Sequence, residues 1–133
     1  MTRLHDWPLR FEALLKSRVS VPFAWGTNDC CTFAADVVIA LTGADAMQDL
    51  RGTYSSEAEA EALIQALGGL PEALTRYLGE AVPAAYANTG DVALVLNEGQ
   101  TVVAVCNGGP VLAPGPRGVA ALSDPSILFV WKV

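Results

Sequence analysis

Trp25-Gly26-Thr27-Asn28-Asp29-Cys30-Cys31-Thr32-Phe33 is the stretch that decides the fold. The segment Val21 to Gly26 reads as extended or turning, and Thr27, Asn28 and Asp29 follow with side-chain oxygens suited to an N-cap. A helix is predicted from Cys30 to Leu41, with Phe33, Val37, Val38 and Leu41 as its buried stripe and Gly43 as its stop. A cysteine therefore stands in the first turn of a buried helix. The helix dipole and the free N–H groups there stabilise a thiolate, and nucleophilic cysteines use this position. The alternative is that Cys30 and Cys31 pack a core as small apolar residues.

Working outward, the chain divides into a helical first half and a strand-rich second half. Trp7 to Arg18 is predicted helical, with Leu9 or Phe11, Leu14, Leu15 and Val19 near helical spacing and Pro8 in the first turn. Asp45 to Tyr54 reads as a loop turning at Arg51-Gly52. Ser56-Glu57-Ala58-Glu59 has the pattern of a capping box and opens a helix through Leu67. Pro71 to Leu78 forms a fourth helix before Gly79. From Gly90 onward, Asp91 to Leu96, Thr101 to Cys106 and Ile127 to Val133 are β-rich runs, with Val111 to Ala113 and Val119 to Leu122 weaker. Asn97 to Gln100 reads as a hairpin turn. Helices followed by an antiparallel meander is α+β order, in one domain over residues 1–133.

Composition narrows the function classes. The 133 residues are 52% hydrophobic and 17% charged, and 8 Lys plus Arg against 14 Asp plus Glu leave a net charge of −6. A chain this acidic is not expected to bind nucleic acid or an anionic membrane as its main partner. No apolar run has the length of a membrane span and the N-terminus lacks a signal-peptide pattern, so a soluble protein made in a cytoplasm is expected. Three cysteines, two of them adjacent, do not suggest a disulfide framework. Neither Cys-x-x-Cys nor His-x-x-His spacing occurs, so no metal or cofactor is expected. Glu57, Glu59 and Glu61 read as scattered around a solvated helix. The N-terminal segment to Arg18 is locally basic, and its helix is a candidate docking element through Trp7 and Phe11, with packing on its own core as the alternative.

Trp25-Gly26 followed by Asp29-Cys30 and an apolar helix resembles the NlpC-type cysteine peptidases, papain-like hydrolases of peptidoglycan stem peptides. Cys31 and Thr32 stand where that motif has Ser and Gly. Gly90-Asp91-Val92-Ala93 is similar to the family's Gly-Asp-Leu strand start. More narrowly, Pro22 to Cys30, Thr42 to Asp45, Arg51 to Tyr54 and the closing Trp131 resemble a phage-associated subfamily of tail-assembly and tail-tip proteins.

The resemblance assigns roles by position. Cys30 takes the nucleophile position. The slot of the catalytic His falls on Val102 and the third polar slot on Leu112, neither of which can carry or orient a proton. Val102, Ala104 and Cys106 share one strand face, which on this reading looks toward the helix of Cys30, with Cys106 about 13 Å along from Val102. Cys106 is expected to be a buried structural residue. His5, the sole histidine, lies 25 residues before Cys30 and is a weak candidate for a replacement base. Asp29 and Asp91 read more simply as a cap and a turn residue, and a carboxylate beside Cys30 would raise its pKa. The resemblance thus implies a pseudoenzyme of a bacteriophage or prophage tail tip or baseplate, located in the virion tail and partnered by other tail proteins. The alternative it leaves is an active peptidoglycan-cleaving cysteine endopeptidase that uses Cys30.

Overall fold

A computed structural model describes residues 1–133, and its first half is four helices, two that start on side-chain caps and two on a proline in the first turn. Helix α1 spans Trp7–Arg18 with Pro8 in its first turn. Helix α2 spans Cys30–Thr42 and ends at Gly43, whose left-handed φ of 82° lets its N–H close back onto the Ile39 carbonyl. Helix α3 spans Glu57–Ala66, capped by the Ser56 hydroxyl, which accepts from the Glu59 N–H. The reciprocal bond of the capping pattern shifts by one residue: the Glu59 carboxylate accepts from the Ser55 N–H at 3.0 Å. Helix α4 spans Leu70–Leu78, and a short 3-10 turn, Ala84–Tyr86, leads to the strands.

Strands β1 (Val92–Asn97), β2 (Gln100–Cys106), β3 (Val111–Pro114), β4 (Val119–Ala121) and β5 (Ser126–Trp131) form one antiparallel sheet. Its order is β4-β3-β2-β1-β5. The first four strands are the expected meander. The fifth returns past them to pair with β1, so the chain's last strand flanks its first. Glu98 and Gly99 both have positive φ, 53° and 80°, which matches the twist of the two-residue β1–β2 hairpin. The class is α+β, with the helices on one face of the sheet.

Phe11, Phe33, Val37, Val38 and Leu41 pack with Val92, Leu94, Val103, Val105 and Trp131 to make the main core. In α1, Phe11 is buried while Leu9 is 71% exposed. Trp7, Leu14 and Leu15 also join the core, so α1 packs inward with the aromatic residues that had suggested docking. Helices α3 and α4 lie over the rest of this face, and the Trp131 indole donates to the Thr75 hydroxyl of α4 at 3.2 Å.

The other face carries Ala93, Val95, Ala104, Cys106, Val111 and Val130, with Val102 packed against them. This corrects the expected orientation of β2: Val103 and Val105, not Val102, Ala104 and Cys106, look toward the Cys30 helix. The hairpin register sets Val103 opposite Leu94 and Val105 opposite Val92, and a shift of one residue would turn every side chain over. Size explains the choice. The larger side chains meet the helices, and the alanines and Cys106 lie under the connecting segments.

Candidate functional site

Asp29 organises the start of α2. One carboxylate oxygen accepts from the N–H groups of Cys31 and Thr32, each at 2.9 Å. The other accepts from the Gly26 N–H at 2.8 Å and the Tyr54 hydroxyl at 2.6 Å. The Thr32 hydroxyl accepts in turn from the Asp29 N–H at 2.8 Å, which closes a capping box. The bend is possible because residue 26 is glycine: its φ is 83°, and a Cβ would lie 2.3 Å from the Tyr54 carbonyl oxygen. Asn28 anchors the same turn, donating to the carbonyls of Val21 and Pro22 and accepting from Arg18. The Asp29 carboxylate, with four donors, is committed to structure.

This scaffold fixes the two adjacent thiols. The Cys31 thiol and the backbone N–H groups of Val103 and Cys31 hold the Cys30 thiol below its ordinary range, against burial and the Asp29 charge. Asp29 opposes ionisation, as its charge dictates, and is outweighed. Cys31 is pushed well up by its neighbour Cys30 and by burial. Of the pair, Cys30 is the one poised to ionise. Cys106 is buried on the far face, and burial pushes its thiol up to about 11.

Cys30 and Cys31 open into a cleft of about 790 Å³ between the α2 start, helices α3 and α4, and the sheet. Hydrophobic residues make up 23 of the 31 that line it, among them Trp25, Leu63, Ile64, Leu74, Leu94, Val103, Leu128 and Phe129. Its only charged lining residues are Asp29, Glu57 and Glu61. Cys30 also lines a smaller cleft of about 400 Å³, shared with Phe23, Trp25, Val102 and Pro114.

The residues assigned by position fall around this centre unevenly. Val102 reaches the smaller cleft by its edge while packing with the far-face cluster. Leu112 lies against the helix-side core, opposite Val105, and lines neither cleft. On the face of β2 that does look toward Cys30 stand Thr101 and Val103. His5 is exposed at the other end of α2, because the Leu4 N–H bonds the Leu41 carbonyl at 2.7 Å. The 11 residues from Cys30 to Leu41 amount to about 16 Å of helix. The imidazole is therefore out of reach of the thiol.

Asp91 is more than a turn residue. It is fully buried, accepts from the Asn88 and Val133 N–H groups, and pairs with Arg3 and Lys132. Arg51, in the loop before α3, bridges Asp36 and Asp45 at 2.7 and 2.6 Å. Both clusters tie segments together and neither lines a cleft. Sequence reasoning missed the shared orientation of Glu57 and Glu61. They are four residues apart and so stand on one side of α3, facing the cleft, while Glu59 turns back to the cap. No group of three or more His, Cys, Asp or Glu side chains is arranged to hold a metal ion.

A family profile, described as a domain of unknown function, DUF6950, matches residues 2–133, and the chain belongs to that family. No curated protein and no solved structure matches it.

Proposed function

We propose that this DUF6950 chain is a tail-tip or tail-assembly protein of a bacteriophage or prophage, built on an NlpC-like, papain-like peptidase fold without a working catalytic base. The phage and NlpC parts of the reading rest on the motif resemblance of residues 22–30, 42–45, 51–54 and 90–93 and of Trp131. One observation carries the non-catalytic part: Cys30 opens into two clefts that no histidine lines.

The chemistry explains why that matters. A cysteine peptidase needs a base twice, first to take the thiol proton and then to return it to the leaving amine. The donor set around Cys30, the Cys31 thiol first and then the Val103 and Cys31 N–H groups, lowers the first requirement by easing ionisation of the thiol. It does nothing for the second. Without a proton donor the amine is the poorer leaving group, and a tetrahedral adduct collapses by expelling the thiolate. Asp29 cannot serve, since its oxygens are held by four donors. The fold then works by binding, in the virion tail, with other tail proteins as partners.

The depressed Cys30 thiol favours a second reading, a peptidoglycan endopeptidase using Cys30. That reading still requires a base and proton donor beyond the residues named here.

The proposal is tested by locating the protein. Quantitative mass spectrometry and antibody labelling of purified particles should place it in the tail at a fixed copy number. Absence from particles that nevertheless fail to form without it would mark an assembly factor. Absence from particles that form normally would overturn the proposal.

A further inference from the structure

We infer that the larger cleft is a docking groove for an apolar, positively charged segment of a partner protein, with a lysine or arginine held between Glu57 and Glu61. The inference rests on the non-catalytic reading above and names the chemistry of the partner.

Three observations carry it. First, the groove leaves large apolar side chains in water: Trp25 is 37%, Leu128 41% and Phe129 46% exposed. Apolar surface gathered in one concave site marks a binding surface. Second, its charge has one sign. No lysine, arginine or histidine lines it, and the Asp29 oxygens are already taken by four uncharged donors. Glu57 and Glu61 have no cationic partner within the chain, and they stand one helical turn apart, a spacing at which like charges repel. Helix α1 uses the same spacing for attraction, pairing Asp6 with Arg10 and Glu12 with Lys16. A cation from outside would complete on α3 what α1 completes by itself. An anionic peptide, a phosphate group or an anionic lipid surface would be repelled.

Third, the groove is bordered by a sheet edge. β5 is the outermost strand on this side, and Val130 alone bonds outward, to Val82. The stretch from Ser126 to Phe129 keeps its outer edge free. An extended segment can bond there along its main chain while its side chains enter the groove. That favours a protein segment over a small molecule.

The test uses the full chain and a fluorescein-labelled peptide, acetyl-Leu-Lys-Leu-Ile-Lys-Leu-amide, with a twin carrying Glu in place of Lys. Fluorescence anisotropy should show saturable binding of the basic peptide, about tenfold or more tighter than the acidic one, weakening with salt. Glu57→Lys with Glu61→Lys should reverse the preference; both sites are exposed, and because Glu57 stands in the first turn of α3, circular dichroism of the variant checks that the helix is kept. Bound basic peptide should also slow alkylation of Cys30. Equal binding of the two peptides, no binding of the basic one, or indifference to the charge reversal would overturn the inference. So would a concentration-dependent dimer abolished by the same double variant, which would make the occupant a second copy. Mass spectrometry of the recovered peptide separates the two levels: cleavage at Cys30 refutes the non-catalytic reading, whereas an intact, unbound peptide refutes the docking inference alone.

Discussion

Asp29 is the residue on which the site turns, and its partners differ in how far they could be anticipated. Its role as a cap was legible from Thr27-Asn28-Asp29 preceding an apolar periodic run. Its bond from Tyr54 was not, because the two are 25 residues apart and joined only by tertiary folding. The Tyr54 hydroxyl is buried, and burial together with the Asp29 charge raises its pKa far above the ordinary value, so it stays a donor. Tyr54→Phe removes one donor from a buried carboxylate and should cost about 2 kcal/mol in urea unfolding. The thiols give a second prediction. With its pKa lowered, Cys30 should be alkylated at a rate that rises with pH around a midpoint below that of an ordinary cysteine thiol. Cys106, raised to about 11 and 2% exposed, should stay unlabelled in the folded protein over the same range. Peptide mapping by mass spectrometry reads both. Equal labelling of Cys30 and Cys106 near neutral pH would contradict the arrangement.

At the scale of elements, all four helices and five strands were legible to within a residue or two at most ends. Local signals are strong where caps, glycines and β-branched runs coincide. The face of β2 was not legible. Its run Thr101-Val102-Val103-Ala104-Val105-Cys106 has apolar residues at both parities, so alternation carries no sign. The small Ala93 and Ala104, cross-strand neighbours, were the available clue to the face away from the helices. The spacing of Glu57 and Glu61 was equally readable, but an acidic helix gives no reason to single out a pair until a cleft lies beside it. The turn into α2 supplies a prediction of its own. Gly26→Ala forces a side chain into a left-handed φ and against the Tyr54 carbonyl. It should cost about 2 kcal/mol or more and disturb Cys30 together with it. Thermal unfolding and the Cys30 alkylation rate would register the two effects, and an unchanged melting temperature would count against the tight turn.

The whole molecule is closed by Asp91, which gathers Arg3, Lys132 and the Val133 N–H around one buried carboxylate. Strand β5 reaches its place beside β1 through this closure, a long-range pairing that no local pattern encodes. Asp91→Asn strands two cations and should cost about 2 to 4 kcal/mol, less than a fully dry pair because Arg3 and Lys132 keep some water contact. Hydrogen exchange should then speed up at residues 1–6 and 126–133 together, and protection lost at one end alone would refute the shared anchor. The main core lies on the helix face of the sheet, and the groove occupies the part of that face which α3 and α4 leave open. Such an architecture opens the Cys30 thiol into an apolar groove with no histidine alongside. Whether Cys30 turns anything over therefore decides between a binding protein and an enzyme. Purified peptidoglycan incubated with the protein and with Cys30→Ala, followed by chromatography of released muropeptides, asks this directly. The same background release is expected from both; sustained release by the protein that vanishes in Cys30→Ala would overturn the non-catalytic reading.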